Sequence, residues 1–149
     1  MNHTKRPKIF IDSNIIISGT FFSGLESTLL SLEDVDLITA DICKEEVLGV
    51  TKRKFRSFGV ETLRIALEEV KNSFSDVIVI SENDYAHNIE KAKDLIKDKV
   101  NDQKVLAAVL TIKPDYFVTG DKDFDKDEIK KEINVMKTRE VLEGLGIID

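Results

Sequence analysis

Five acidic residues stand where strand-like runs end or helix-like runs begin. Asp12 closes Lys8-Ile9-Phe10-Ile11 and is followed by Ser13 and Asn14, which can orient a carboxylate or a bound water. Glu46 lies in the first turns of a helical stretch, and Asp102 opens the apolar stretch Val105 to Leu110. Asp121 and Asp123 follow Tyr116-Phe117-Val118-Thr119 directly, after a Gly120 that allows an unusual turn. Carboxylates that converge without a cation repel, and some must take up protons. A hard divalent ion removes that conflict. Oxygen donors without His or Cys suit Mg²⁺ or Mn²⁺, which keep several waters of their own.

Each acid also has an ordinary structural role. Asp at a strand end accepts turn hydrogen bonds. Glu in a first helical turn is favoured by the helix dipole, and Asp before a helix is a preferred cap. Glu45 competes with Glu46, because residues about 100 degrees apart cannot both face one point. Val47 and Val50 mark the buried side, which Glu46 borders while Glu45 lies farther round, so Glu46 is chosen. Asp98 and Asn101, just before Asp102, are secondary contributors, and Asp125 and Asp127 read as solvated.

The elements that must position these groups alternate between strand and helix, which predicts an α/β fold with helices on both faces of a mainly parallel sheet. The five strands are Lys8 to Asp12, Asp36 to Ala40, Val77 to Ile80, Tyr116 to Thr119 and about Ile133 to Met136. A loop with Gly19, Ser23 and Gly24 follows the first, then a helix through Leu25, Leu29, Leu30 and Leu32. Asp41 can cap the helix that ends in Lys52-Arg53-Lys54-Phe55-Arg56. Val60 to Ser73 reads as a helix with Leu63, Ile65, Leu67 and Val70 near one side. Asp84 to Lys99 reads as one polar helix, and Thr138 as the cap of a last helix burying Val141, Leu142 and Leu145. In an open sheet of this kind, ligands bind outside the carboxyl ends of the strands.

Composition narrows the classes. The 149 residues, 42% of them apolar, suit one globular domain over 1–149. No run reaches the roughly 20 apolar residues of a membrane span, and the charged start Met1 to Lys8 lacks an apolar leader region. Cys43 is the only cysteine, which fits a reducing cytoplasm and argues against a structural zinc site. A net charge of −6 disfavours a generic nucleic-acid binder but not a nuclease whose acids cluster at one site.

Together these residues resemble the PIN-domain family over nearly the whole chain. Ile9 to Asn14 is similar to the family's opening strand and first acid, and Glu46-Val47 through Phe55 to its second-acid helix. Asp102-Gln103-Lys104-Val105-Leu106-Ala107-Ala108 resembles the third-acid helix, although the preceding Asp98 to Asn101 lacks the Asp-Pro-x-Asp form common there. Asp115 to Phe124 is the most specific match, and Thr138 to Leu142 looks like the closing helix. The resemblance implies a three-layer α/β/α fold around a five-stranded sheet. It implies an endonuclease for single-stranded RNA using Mg²⁺ or Mn²⁺, in many members the VapC-like toxin of a toxin–antitoxin pair, with an antitoxin protein and a homodimer as partners. It implies Asp12, Glu46, Asp102 and Asp121 as the acidic quartet, Asp123 as a fifth acid and Thr119 as an auxiliary polar group.

In that setting a metal-activated water attacks a phosphodiester. Lys52, Arg53, Lys54 and Arg56 are the densest cationic cluster for phosphates, with Phe55 for stacking on a base; they equally suit a solvated helix end. Lys104 and Lys122 are nearer the acids. Two rival readings stand beside this one. A haloacid dehalogenase-type phosphatase would use Asp12 as nucleophile, but needs an acid where Asn14 stands. A non-catalytic PIN-like scaffold would bind RNA or protein without cutting, but should have lost some of the acids.

Overall fold

The apolar runs do become strands buried on both faces. In a computed structural model, which describes residues 6–149, β1 (Lys8–Ile11), β2 (Asp36–Ala40), β3 (Val77–Ile80), β4 (Tyr116–Val118) and β5 (Val135–Met136) form one sheet. The reading of the N-terminal stretch lies, for residues 1–5, outside the described residues. Strand order is β3-β2-β1-β4-β5, and every pairing is parallel. Strands covered on both sides need no polar alternation, which is why Ile9, Phe10 and Ile11 are all fully buried. Edge strand β3 is the exception, with Ile78 half exposed.

Two layers of helices cover the sheet. Phe10, Ile38 and Phe117 face α5 (Glu82–Tyr85), α6 (Ile89–Leu95), α7 (Val100–Ile112) and α8 (Asp127–Lys130). Phe117 anchors that side, with Phe10 and Phe124 edge-on to it at 5.6 and 5.0 Å between ring centres. Ile9, Ile11, Leu37 and Val118 face α1 (Ser13–Phe21), α2 (Leu25–Leu30), α4 (Val60–Phe74) and α9 (Thr138–Gly144). Helix α3 (Asp41–Phe55) gives Val47 to this side and Cys43 to the other. The result is the three-layer α/β/α arrangement expected, with a sheet that is wholly rather than mainly parallel.

Several elements differ from the sequence reading. The segment after β1 is helix α1 rather than a loop. Three successive isoleucines hide its helical period, but the Asp12 carboxylate caps it by accepting the Ser13 N–H, and Ile15 and Ile16 bury. Gly19 lies inside α1 because α2 crosses it closely: a Cβ there would sit 2.4 Å from Leu30 Cδ1 and 2.8 Å from the Glu26 carbonyl. Gly19→Ala is therefore expected to cost about 1–3 kcal/mol by overpacking despite alanine's better helix propensity. Urea unfolding would measure it, and an unchanged midpoint would show that α2 yields.

The polar stretch from Asp84 is also not one helix. Ser81 and Asp84 form a capping box that starts α5, a 3₁₀ turn over Ala86–Asn88 follows, and α6 ends at Leu95. Ile65 is exposed on α4, whose buried side is Ala66, Val70 and Phe74. Helix α7 starts at Val100, so Asp102 sits within its first turn and is not its cap. Lys137, not Thr138, precedes α9; its N–H donates to Glu140 at 2.8 Å, while the Thr138 hydroxyl is buried without a partner among the described residues.

The sheet order fixes where a site can lie. Strands proceed outward from β1 to β3, then the chain crosses back and continues on the other side of β1 with β4 and β5. The reversal leaves a crevice at the carboxyl ends of β1 and β4. Both strands end in it, pinned by the Asp12 N–H donating to the Val118 carbonyl at 3.1 Å.

Candidate metal centre

Asp12 is the rearmost group of this crevice, only 6% exposed. One carboxylate oxygen accepts the Ser13 N–H at 2.8 Å and the other the Thr119 hydroxyl at 2.6 Å. Burial raises its pKa above the usual carboxylate range, against the pull of those two bonds, and the charges of Glu46 and Asp121 raise it further. The Thr119 oxygen also accepts the Asp121 N–H at 3.0 Å, so one hydroxyl sets both the first acid and the acid after β4.

Residues Asp121 and Asp123 form a tight turn in which the Asp121 carboxylate accepts the Asp123 N–H at 2.9 Å. Gly120 before them has no left-handed backbone; the Asn14 amide lies close to it, 3.3 Å from where a Cβ would stand. From α7, Asp102 reaches the same point: carboxylate oxygens of Asp102, Asp121 and Asp123 lie within 4.8 Å of one another. Asp102 is pushed up to about 7, first by burial, then by a hydrogen bond with Asp123 and by the charges of Asp121, Asp123 and Asp12. Asp123 moves the other way, because Lys99 Nζ lies 2.5 Å from it. The Asp102 carboxyl, the more buried of the two and not the lysine's partner, is the one shifted toward its protonated form.

Glu46 joins from the other side. The Ser13 hydroxyl donates to its carboxylate, which ties α3 to the start of α1, while Glu46 itself remains exposed. Glu45 lines the outer groove beside it and has no such tie among the described residues. The donor set therefore offers oxygen only, from Asp102, Asp121 and Asp123 in mutual reach, with Asp12 behind them and Glu46 at the rim. It fits a hard divalent cation, whose charge would relieve the repulsion that helps to raise Asp102.

The proposed phosphate-binding cations are more scattered. Lys104 is committed to Glu82 at 2.9 Å. Lys122 is exposed beside Asp121 in a groove shared with Lys130 and Lys137. Arg53 lines the groove that runs from Glu46 and Asn101 along α3. Phe55 is not free to stack on a base, since its ring packs against Phe21 at 5.1 Å. Asp125 is exposed and paired with Lys130, and Asp127 is exposed. Lys99 was missed. It stands in the stretch read as the tail of a polar helix, where a lysine among acids gives no signal; only the left-handed turn at Asp98 (φ 60°) aims it back at Asp123.

Comparison with known proteins places this geometry in context. A family model described as PIN domain matches residues 10–145. No curated protein sequence matches the chain. Among solved structures, VapBC2 from Rickettsia felis, bound to a promoter DNA fragment, superposes with a TM-score of 0.65 at 11% identity, covering 87% of this chain and 98% of that one. A toxin–antitoxin complex from Klebsiella pneumoniae gives 0.65 at 17% identity, covering 87% and 97%. VapBC-1 from nontypeable Haemophilus influenzae gives 0.64 at 15% identity, covering 89% and 98%.

Proposed function

The chain belongs to the PIN-domain family, and from that premise we propose that it is a divalent-metal-dependent endoribonuclease for single-stranded RNA, acting as a single domain. The observation that carries the reading is the meeting of acids from α7 and the β4 end at the sheet's reversal point, beside the buried Asp12 at the end of β1, packed closely enough that Asp102 is raised well above the usual carboxylate range. Asp102, Asp121 and Asp123, with Asp12 and Glu46, are the residues that would hold Mg²⁺ or Mn²⁺. When bound, such an ion supplies Lewis-acid stabilisation of a phosphoryl oxygen and a more acidic water. The protein's part is positioning. Thr119 holds Asp12 and the Asp121 backbone in one geometry, Ser13 holds Glu46, and Lys99 holds Asp123. The exposed rim at Glu46 and the groove along α3 leave the acids open to an extended strand.

The fold shared with toxin–antitoxin complexes supports a finer proposal, that this chain is the toxin of such a pair, with an antitoxin protein and a second copy of itself as partners. No helix among the described residues is long and apolar enough to cross a membrane. The phosphatase alternative finds no support, because Asn14 stands where its general acid is needed.

The test is incubation with single-stranded and duplex RNA in Mn²⁺, Mg²⁺ or EDTA. Cleavage of the single strand only with metal is expected. Intact RNA throughout, with no Mn²⁺ shift in melting temperature, would leave a binding scaffold. A second check uses Thr119→Val. The lost hydroxyl removes the strongest bond holding Asp12 ionised, so its pKa rises further and Mn²⁺ binding, followed by calorimetry, should move to higher pH than in the parent. An unmoved pH profile would mean that Asp12 takes no part in binding the ion.

A further inference from the structure

The cations at the end of α3 form the densest basic cluster in the chain. Arg6, Arg64, Lys91, Lys93, Lys99, Lys104 and Lys130 all pair with acids. Lys52, Arg53, Lys54 and Arg56 make no ion pair among the described residues, although acids outnumber bases by six. Two large rings stand open among them: Phe22 is 60% exposed and Phe58 67%. Lys54 Nζ sits 5.8 Å over the Phe22 ring. Phe58 leans on Phe55 at 6.2 Å between centres, and Phe55 in turn on Phe21, the residue before Phe22.

This platform has a fixed relation to the acids. Ser13 and Glu46 touch near the starts of α1 and α3, and Phe21 and Phe55 touch at their ends. The two helices therefore run side by side in one direction, from the carboxylates to the rings. Eight or nine residues at a rise of 1.5 Å put the Phe21–Phe55 pair about 12–14 Å along the helices from Ser13 and Glu46. Arg53, seven residues after Glu46, returns to nearly the same face of α3 and lines the groove between.

We propose that Phe22 and Phe58, framed by Lys54 and Arg56, form a base-stacking subsite that holds a single-stranded nucleic acid a few nucleotides from the cleavage point, with Arg53 on the intervening phosphate. Open rings interleaved with unpaired cations match what an unpaired strand offers, flat bases joined by charged phosphates. A folded protein would offer side chains to the rings but no regular anions to four unpaired cations. The proposal rests on the nuclease reading for its substrate and corrects Phe55, which supports the platform rather than stacking on a base itself.

The experiment measures binding in EDTA, so that cleavage does not enter. The probes are a labelled single-stranded RNA of about twelve nucleotides and an abasic strand of equal length. Phe22→Ala with Phe58→Ala should weaken binding of the RNA at least about fivefold per ring and leave the abasic strand unaffected. Lys54→Ala with Arg56→Ala should weaken both probes and flatten the salt dependence by about 0.7 in log–log slope per cation removed. All four side chains are at the surface, and melting curves check that the variants stay folded. Unchanged RNA affinity in the ring variant, or equal loss on both probes, overturns the subsite; the former would leave the rings to a protein partner. Ring-dependent binding by a parent that never cuts RNA would sink the nuclease reading and keep this one.

Discussion

Asp12→Asn is expected to abolish metal-dependent cleavage while leaving the protein folded and, without metal, more stable. The side chain is almost fully buried and leaves no cavity when changed; the amide oxygen can still accept the Ser13 N–H, while the amide NH₂ must donate to the Thr119 oxygen instead of accepting from its hydroxyl. What the change removes is one negative charge from a crowded site. A Lewis-acid metal contributes several kcal/mol to the transition state, so disturbing its ligand field should cost about a thousandfold or more in rate. In EDTA the same change relieves both burial of a charge and its repulsion by Glu46 and Asp121, and the melting temperature should rise. Asp121→Asn should behave alike in activity. Retained cleavage would remove Asp12 from the site, and a clear fall in melting temperature would make it a structural residue.

The second large effect concerns pH. Asp102 has a folded-state pKa raised to about 7, from an ordinary value of 3.8. Between those values the folded protein holds a proton that the unfolded chain has lost. Stability of the metal-free protein is therefore fully supported by this group below about 4 and declines as pH rises toward about 7. Buried Asp12 is shifted in the same direction and adds to the slope. A bound divalent cation reverses the preference, since it wants both carboxylates ionised, so Mn²⁺ should stabilise more at pH 8 than at pH 5 and release a proton as it binds near neutrality. Melting temperature against pH, with EDTA and with Mn²⁺, measures both arms. Asp102→Asn should flatten the EDTA curve and weaken the Mn²⁺ shift. A parent curve in EDTA that rises from pH 5 to 7 would contradict the raised pKa of Asp102.

Much of this was readable from residues alone. The runs Lys8–Ile11, Asp36–Ala40 and Val77–Ile80 announce strands because parallel strands covered on both faces need uninterrupted apolar side chains. Asp12 and Asp121 stand out because they follow such runs at once, and a strand end is rigid. Helix α1 and the break in the polar stretch after Asp84 were not readable. Triple isoleucine favours a strand locally, and only the Asp12 cap and the close approach of α2 at Gly19 make it a helix. A capping box at Ser81 and the Tyr85 hydroxyl bonded to Asp41 at 2.5 Å outweigh helical composition farther on.

The sequence by itself determined the alternation of strand and helix, the all-oxygen character of the site and the acids available to it. Those properties depend on residue types and on neighbours a few positions away. Only the tertiary structure decided which acids share a point, that Glu46 is tied to Ser13 and Glu45 is not, and that Asp102 is raised by burial and its neighbours while Lys99 holds Asp123. It also decided that Phe22 and Phe58, rather than Phe55, stand open. These outcomes depend on β1 lying beside β4, more than a hundred residues later in the chain, and on the directions in which α1, α3 and α7 leave the sheet. Local propensity carries no information about contacts at that separation; the packing of the two apolar layers does.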